Sequence, residues 1–213
     1  MFKTPRIIKW LYPSLVWNGA KDRPSIFLTF DDGPVSGVSN EILDVLAVFG
    51  VKATFFCVGE NIERYPELFV RMYREGHMIG NHTYHHLNGW KVRDEEYIAD
   101  IGKCHDTMEK NGFKTKQRLF RPPYGKIWRS VIRSIGKDYK IIMWDVLSYD
   151  FSELPKEKLL NRCKKHLTSG SIIVFHDSLK TKAKTAFLIY QLIGHLIKQG
   201  YNFSTLDKLF LSD

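Results

Sequence analysis

Asp31 and Asp32 stand side by side after the apolar run 25–30, on a turn made by Gly33 and Pro34. Two adjacent carboxylates at a strand end project in different directions, so one can bind a metal while its neighbour takes a proton. A plain turn with a helix cap is the simpler reading of the same residues. Further along, Asn81-His82-Thr83-Tyr84-His85-His86 carries three imidazoles. On a helical turn either His82 with His86 or His82 with His85 would face one way. Two neutral imidazoles and one carboxylate are a common ligand set for a catalytic zinc, leaving one position for water. A polar loop or a structural histidine competes with that reading.

Other clusters share the pattern. In Arg121-Pro122-Pro123-Tyr124-Gly125 the paired prolines fix a rigid turn just after Arg121. That arginine can steer a carboxylate, and the Tyr124 backbone N–H can face a developing oxyanion. Trp144-Asp145 and Asp150-Phe151 follow a fifth apolar run, and Val174-Phe175-His176-Asp177 ends a sixth. A histidine just past a buried strand is placed to act as a general acid, although singly such a residue is more often a structural hydrogen-bonder. Each cluster has a bland reading by itself. Their common position at strand ends does not.

The elements that must position these residues can be read from periodicity. Strands are expected at 25–30, 53–58, 78–80, 119–120, 140–146, 171–175 and 201–204. Helices are expected where Ile42, Val45, Leu46 and Phe49 share a face before Gly50, and at 66–75, 94–110, 127–135, 156–167 and 181–199. Strand and helix alternate about seven times, and the strands are apolar throughout rather than alternating. This predicts an α/β fold: a distorted (β/α)7 barrel, TIM-like, with parallel strands and an outer layer of helices. Chemistry in such barrels collects at the C-terminal ends of the strands, where the clusters fall.

A length of 213 residues suits one domain, expected at 23–213, preceded by an N-terminal arm at 1–22. No apolar run reaches the roughly 20 residues of a transmembrane helix, so no transmembrane segment is expected. In the arm, Lys9 and Pro13 interrupt the apolar residues and no small-residue cleavage site follows, unlike a secretory signal. The arm is expected to pack across the domain, with peripheral membrane contact as the alternative, and the location expected is the cytoplasm. Cys57, Cys104 and Cys163 show no C-x-x-C spacing, which argues against a disulfide framework and a thiolate zinc site. The net charge of +9 is spread along the chain, and groups such as Lys156, Lys158, Arg162, Lys164 and Lys165 suit a solvated helix face. No nucleic-acid motif accompanies the charge, and no nucleic-acid partner is expected.

Thr29-Phe30-Asp31-Asp32-Gly33-Pro34, His82-Thr83-x-x-His86, Arg121-Pro122-Pro123-Tyr124-Gly125, Trp144-Asp145 with Asp150, and Val174-x-His176 resemble the ordered motifs of the NodB-like polysaccharide deacetylases, the fourth carbohydrate esterase family. The resemblance runs from about Ile26 to His176. It implies a metal-dependent hydrolase that removes N-acetyl groups from a carbohydrate of chitooligosaccharide or peptidoglycan type. The substrate partner would be an acetylated glycan or amino sugar. It also implies roles: Asp31 as general base, Asp32, His82 and His86 as ligands of one divalent metal, with zinc expected, and His176 as general acid. Arg121 would orient Asp31, Asp150 would hold Arg121, the Tyr124 N–H would bind the oxyanion, and His85 would not be a ligand. An O-acetyl esterase or cyclic-amide hydrolase of the same superfamily is the alternative, and a non-catalytic carbohydrate-binding protein a more distant one. The chain departs from the family pattern at Val174, where leucine is usual, and at Phe151, where tryptophan commonly follows the aspartate.

Overall fold

The structure, a computed structural model, describes residues 2–21, 24–182 and 184–210. Along the chain come α1 (Arg6–Leu11), β1 (Ser25–Asp31), α2 (Ser39–Val48), β2 (Thr54–Cys57), α3 (Gly59–Arg64), α4 (Pro66–Arg74), β3 (Met78–Asn81) and α5 (Asp94–Lys110). They are followed by β4 (Leu119–Phe120), α6 (Arg129–Ile135), β5 (Lys140–Ile141), β6 (Val146–Leu147), α7 (Lys156–His166), β7 (Ile172–His176), α8 (Thr185–Lys198) and β8 (Asn202–Phe203). Local chemistry accounts for several of these limits. Pro66 opens α4 with a preset φ, and Asp94, Glu95 and Glu96 complement the positive end of α5. In α8, Leu188, Ile189, Leu192, Ile193 and Leu196 recur at helical spacing and are all buried.

The strands pair in parallel in the order β5-β4-β3-β2-β1-β7-β6, with β8 added beside β1. The stretch 140–147 supplies both ends of this path. Its first half pairs with β4 and its second half with β7, so the sheet curls back on itself as a distorted barrel. One strand was expected from the sequence at 140–146; a single segment that changes neighbours must leave one ladder before joining the other, and it does so at 142–145.

Along β1 the pleat separates two environments. Ile26, Leu28 and Phe30 join the core formed with the helices, where Phe30 stacks 4.9 Å from Phe55 and 5.9 Å from Phe175. Phe27 joins a second cluster with Phe56, Met78, Leu119, Ile142 and Ile172, in the interior of the curl. Thr29 and Asp31 share the side of Phe27. A polar pair therefore rises from the inner floor towards the strand ends.

The N-terminal segment lies where the stretch 142–145 has left the sheet. Val16 pairs alongside Ile142, accepting from the Met143 N–H at 2.7 Å and donating to Ile141 O at 2.9 Å. Lys9 Nζ is 2.5 Å and Lys3 Nζ 3.6 Å from the Asp145 carboxylate, which also accepts from Ser171 Oγ at 2.7 Å. Burial works against the Asp145 charge, but Lys9 and Ser171 outweigh it and lower the carboxyl's pKa.

Candidate active site

Asp31 is the last residue of β1 and pairs across the sheet with His176, the last residue of β7. Its side chain meets Arg121, delivered by the end of β4. Arg121 Nη1 donates to Asp31 Oδ1 at 2.7 Å and to Thr29 Oγ1 at 2.8 Å. Nε and Nη2 donate to the carbonyls of Ile142 and Met143, in the segment where the chain changes ladders. The guanidinium lies 4.1 Å over the Phe56 ring and is fully buried. A buried charge of this kind persists because its donors are matched and a counter-charge adjoins it.

Asp32 does not continue the strand. Its φ of 85° turns the chain and brings its carboxylate to the histidine loop instead of the helix layer. Asp32 Oδ1 is 3.2 Å from His86 Nε2 and 3.7 Å from His82 Nε2. His82 Nδ1 lies 2.7 Å from Arg121 O; that carbonyl can only accept, so Nδ1 carries the proton and the Nε2 lone pair faces Asp32. One ligand atom from each of Asp32, His82 and His86 falls within 4.8 Å of the others. A carboxylate and two converging imidazoles, one with its tautomer already set, fit a single zinc-class ion. Burial holds His82 neutral, its pKa lowered to about 4. Burial alone would raise Asp32, but the His86 hydrogen bond and the His176 charge lower it below the usual carboxylate range.

The spacing of His82 and His86 works here without a helix. Thr83 and His86 both have positive φ, at 64° and 56°, so the loop folds the two rings together. Asp100 on α5 pins it, accepting from the Tyr84 and His85 N–H groups at 2.8 and 3.0 Å. His85 Nδ1 sits 2.5 Å from Asp100 Oδ1, away from Asp32. On the other flank, Asn61 of α3 donates to Asp32 O at 2.7 Å. Gly33 N–H donates to Asp177 at 2.8 Å, and a Cβ on Gly33 would sit 1.8 Å from that carboxylate, so only glycine fits.

His176 comes with Asp150, and this corrects an expectation. Asp150 Oδ1 is 2.8 Å from His176 Nδ1, while Oδ2 accepts from the His176 N–H at 2.8 Å and from Thr185 Oγ1 at 2.9 Å. Asp150 therefore holds His176, not Arg121, whose donors are taken by Thr29, Asp31 and the two carbonyls. Burial disfavours the imidazolium, but Asp150, with Asp32 and Asp31 behind it, raises the His176 pKa to about 9. Phe151 packs edge-on against the His176 ring at 5.1 Å, and Val174 is buried in β7.

Tyr124 has a φ of 58°, in the middle of the turn that follows β4. The bonds defining that turn run from Gly125 and Lys126 to the carbonyls of Pro122 and Pro123, leaving the Tyr124 N–H outside them. The Tyr124 ring stands edge-on to His86 at 4.7 Å. The residues given roles from the sequence thus gather at one mouth of the barrel. Thr29, Asn61, Asp100 and Thr185 were missed. Thr29 alone carried a signal, as a polar residue two before Asp31 in an apolar run; α3 was too short to show periodicity, and the other two are ordinary polar positions on helices.

Comparison with known proteins agrees with this geometry. Residues 18–142 match the sequence model of the family described as polysaccharide deacetylase. A peptidoglycan-N-acetylglucosamine deacetylase of Bacillus cereus is 33% identical over 197 residues, covering 91% of this chain and 71% of its own length. Chitin deacetylase 2 of Saccharomyces cerevisiae is 35% identical over 176 residues, covering 78% of this chain and 54% of its own. A crystal structure of a peptidoglycan N-acetylglucosamine deacetylase in complex with 4-naphthalen-1-yl-N-oxidanyl-benzamide superposes with a TM-score of 0.90 at 31% identity, covering 99% of this chain and 98% of that one. The barrel, the cluster at its strand ends and these matches coincide, and the chain belongs to the polysaccharide deacetylase family.

Proposed function

We propose that this enzyme hydrolyses N-acetyl groups on an amino-sugar glycan, of the N-acetylglucosamine type found in peptidoglycan, with one zinc ion held by Asp32, His82 and His86. The observation that carries the reading is two differently held groups beside one metal-type donor set: Asp31 paired with Arg121, and His176 paired with Asp150. When bound, the ion supplies a Lewis acid for the acetyl carbonyl and for water.

The chain's own residues do the rest. Arg121 engages Asp31 Oδ1 and leaves Oδ2 to accept the proton of the attacking water. The Tyr124 N–H donates to the former carbonyl oxygen as negative charge develops on it. His176, with Nδ1 bound to Asp150, gives the proton on Nε2 to the sugar nitrogen as the C–N bond breaks. One amide and one water become one amine and one acetate. The raised pKa of His176 keeps this donor protonated at neutral pH.

The relatives named for peptidoglycan deacetylation support this substrate class. Such a substrate would put the working enzyme at the cell wall, in contrast to the cytoplasmic location expected from the sequence. Acetate release from N-acetylglucosamine oligomers, peptidoglycan fragments and O-acetylated xylan tests the reaction. The N-acetylated glycans should be preferred, about one zinc should bind per chain, and chelation should abolish turnover reversibly. Full activity in metal-free protein, or a preference for the xylan ester, would overturn the reading.

A further inference from the structure

On α1 the apolar residues divide between two faces. Ile8 and Tyr12 turn inward and pack against the cluster that includes Leu15, Trp17 and Ile127. Ile7, Trp10 and Leu11 stand three and four residues apart, so they share the opposite face, and they are 65%, 77% and 46% exposed. Eleven large hydrophobic side chains are exposed among the described residues, and three of them fall within this short helix, which makes a patch rather than scatter. We propose that this face of α1, with the arginines around it, docks the enzyme on an anionic lipid surface.

The fold does not need that face. The arm is fastened by other groups: Lys9 to Asp145, Lys3 Nζ to His166 O at 3.0 Å, and the Val16 backbone to Ile141 and Met143. Ile7, Trp10 and Leu11 join none of the hydrophobic clusters. Their rim is basic. Arg6 is exposed on the same helix, four residues before Trp10. Arg129 Nη2 donates to Leu11 O at 3.1 Å and its guanidinium lies over the Tyr12 ring, while Arg133 is exposed one turn further along α6. Residues 2–17 contain no aspartate or glutamate, and neither does α6.

A bilayer interface matches this arrangement. An indole sits at the level of the headgroups, aliphatic side chains reach the acyl boundary, and guanidinium groups meet lipid phosphates. The net charge of +9 draws the whole protein to a surface of that sign. Other occupants fit less well. A stable protein partner needs about 800 Å² from each side, whereas α1 has six residues and is about 9 Å long, a single ridge. A second copy on the same face would bring two basic rims together. A lipid surface takes in an isolated apolar ridge and gains from each arginine beside it.

The test uses the full chain with vesicles of equimolar phosphatidylglycerol and phosphatidylcholine, beside vesicles of phosphatidylcholine alone. The protein should sediment with the anionic vesicles at about 0.05 M salt and leave them at about 0.5 M. Trp10→Ala should weaken partitioning about tenfold, and Arg6→Gln combined with Arg133→Gln about tenfold or more. Wild-type tryptophan emission should move to shorter wavelength on the anionic vesicles, and the movement should shrink in Trp10→Ala. Equal binding to both vesicle types, binding to neither, or wild-type partitioning by Trp10→Ala would overturn the proposal. So would a urea midpoint clearly lowered by Trp10→Ala, which would give the face to the fold. A concentration-dependent dimer in sedimentation velocity, abolished by Trp10→Ala, would give it to a second copy and overturn the proposal as well. Binding is read without turnover, so the lipid inference stands or falls apart from the glycan reading.

Discussion

Asp145 and Asp150 leave the same curl of chain, both are buried, and their partners make them unlike. Asp145 takes Lys9, Lys3 and Ser171, and it fastens the N-terminal segment over the place where the sheet changes ladders. Asp150 takes His176, whose charge can change within the working range, and leaves that ring's Nε2 free to act. A buried carboxylate becomes a fastener or part of a proton-transfer device according to whether its partner is an anchoring amine or an imidazole with its second nitrogen left over. The seam and the mouth should therefore fail in different ways when they are altered.

The largest effect belongs at the mouth. Asp31→Asn should lower turnover roughly a hundredfold or more while zinc is retained. It also strips buried Arg121 of its counter-charge, so unfolding stability should drop by about 3 kcal/mol. Asp32→Asn should instead lose zinc first and regain part of its turnover when zinc is raised. Metal content measured beside turnover decides the matter; equal zinc loss in both variants would break the division between the two aspartates.

Next comes the partner of His176. Its pKa is raised to about 9, so the proton-donating form is present below that value and is lost as pH rises through it. Asp150→Asn should move the alkaline limb of the rate profile towards the ordinary histidine value of roughly 6.5, costing about thirtyfold in kcat at a pH of about 8. An unmoved limb would show that another group sets it.

At the seam the pattern should invert. Asp145→Asn should leave kcat nearly unchanged and lower unfolding stability by about 2 kcal/mol, because Lys9 loses its partner. The Asp145 pKa is lowered in the fold, so its contribution is present above the unfolded carboxylate value and is lost as pH falls through the folded one. The difference in urea midpoint between wild type and variant should stay constant above a pH of about 4 and shrink as pH falls below it. The smallest effect is expected at Trp10, 77% exposed on α1: Trp10→Ala should shift stability by less than about 0.5 kcal/mol. A larger loss would mean that Trp10 itself helps to hold the arm.

Much of this molecule is legible in its residues. Apolar runs without alternation require strands covered on both faces, and strands separated by helices require parallel pairing, so the barrel and the location of its chemistry follow. The grouping of Asp31, Asp32, His82, His86, Arg121, Tyr124, Asp150 and His176 follows from their shared place at strand ends. What the tertiary structure decided is which of them touch. Asp150 lies nearer in sequence to His176 than to Arg121, yet only the pairing of β7 with β6 brings them together, while the carbonyls of Ile142 and Met143 take the place expected for Asp150 at Arg121. The division of 140–147 between two ladders was hidden for the same reason: periodicity records how a segment is buried but not which neighbour its N–H groups choose. The helix α3 was hidden because six residues with one buried apolar side chain, Ile62, carry no period to read. Side-chain partners across a barrel are set by strand order and backbone turns such as the positive φ of Asp32 and His86, and those exist only once the chain has closed on itself.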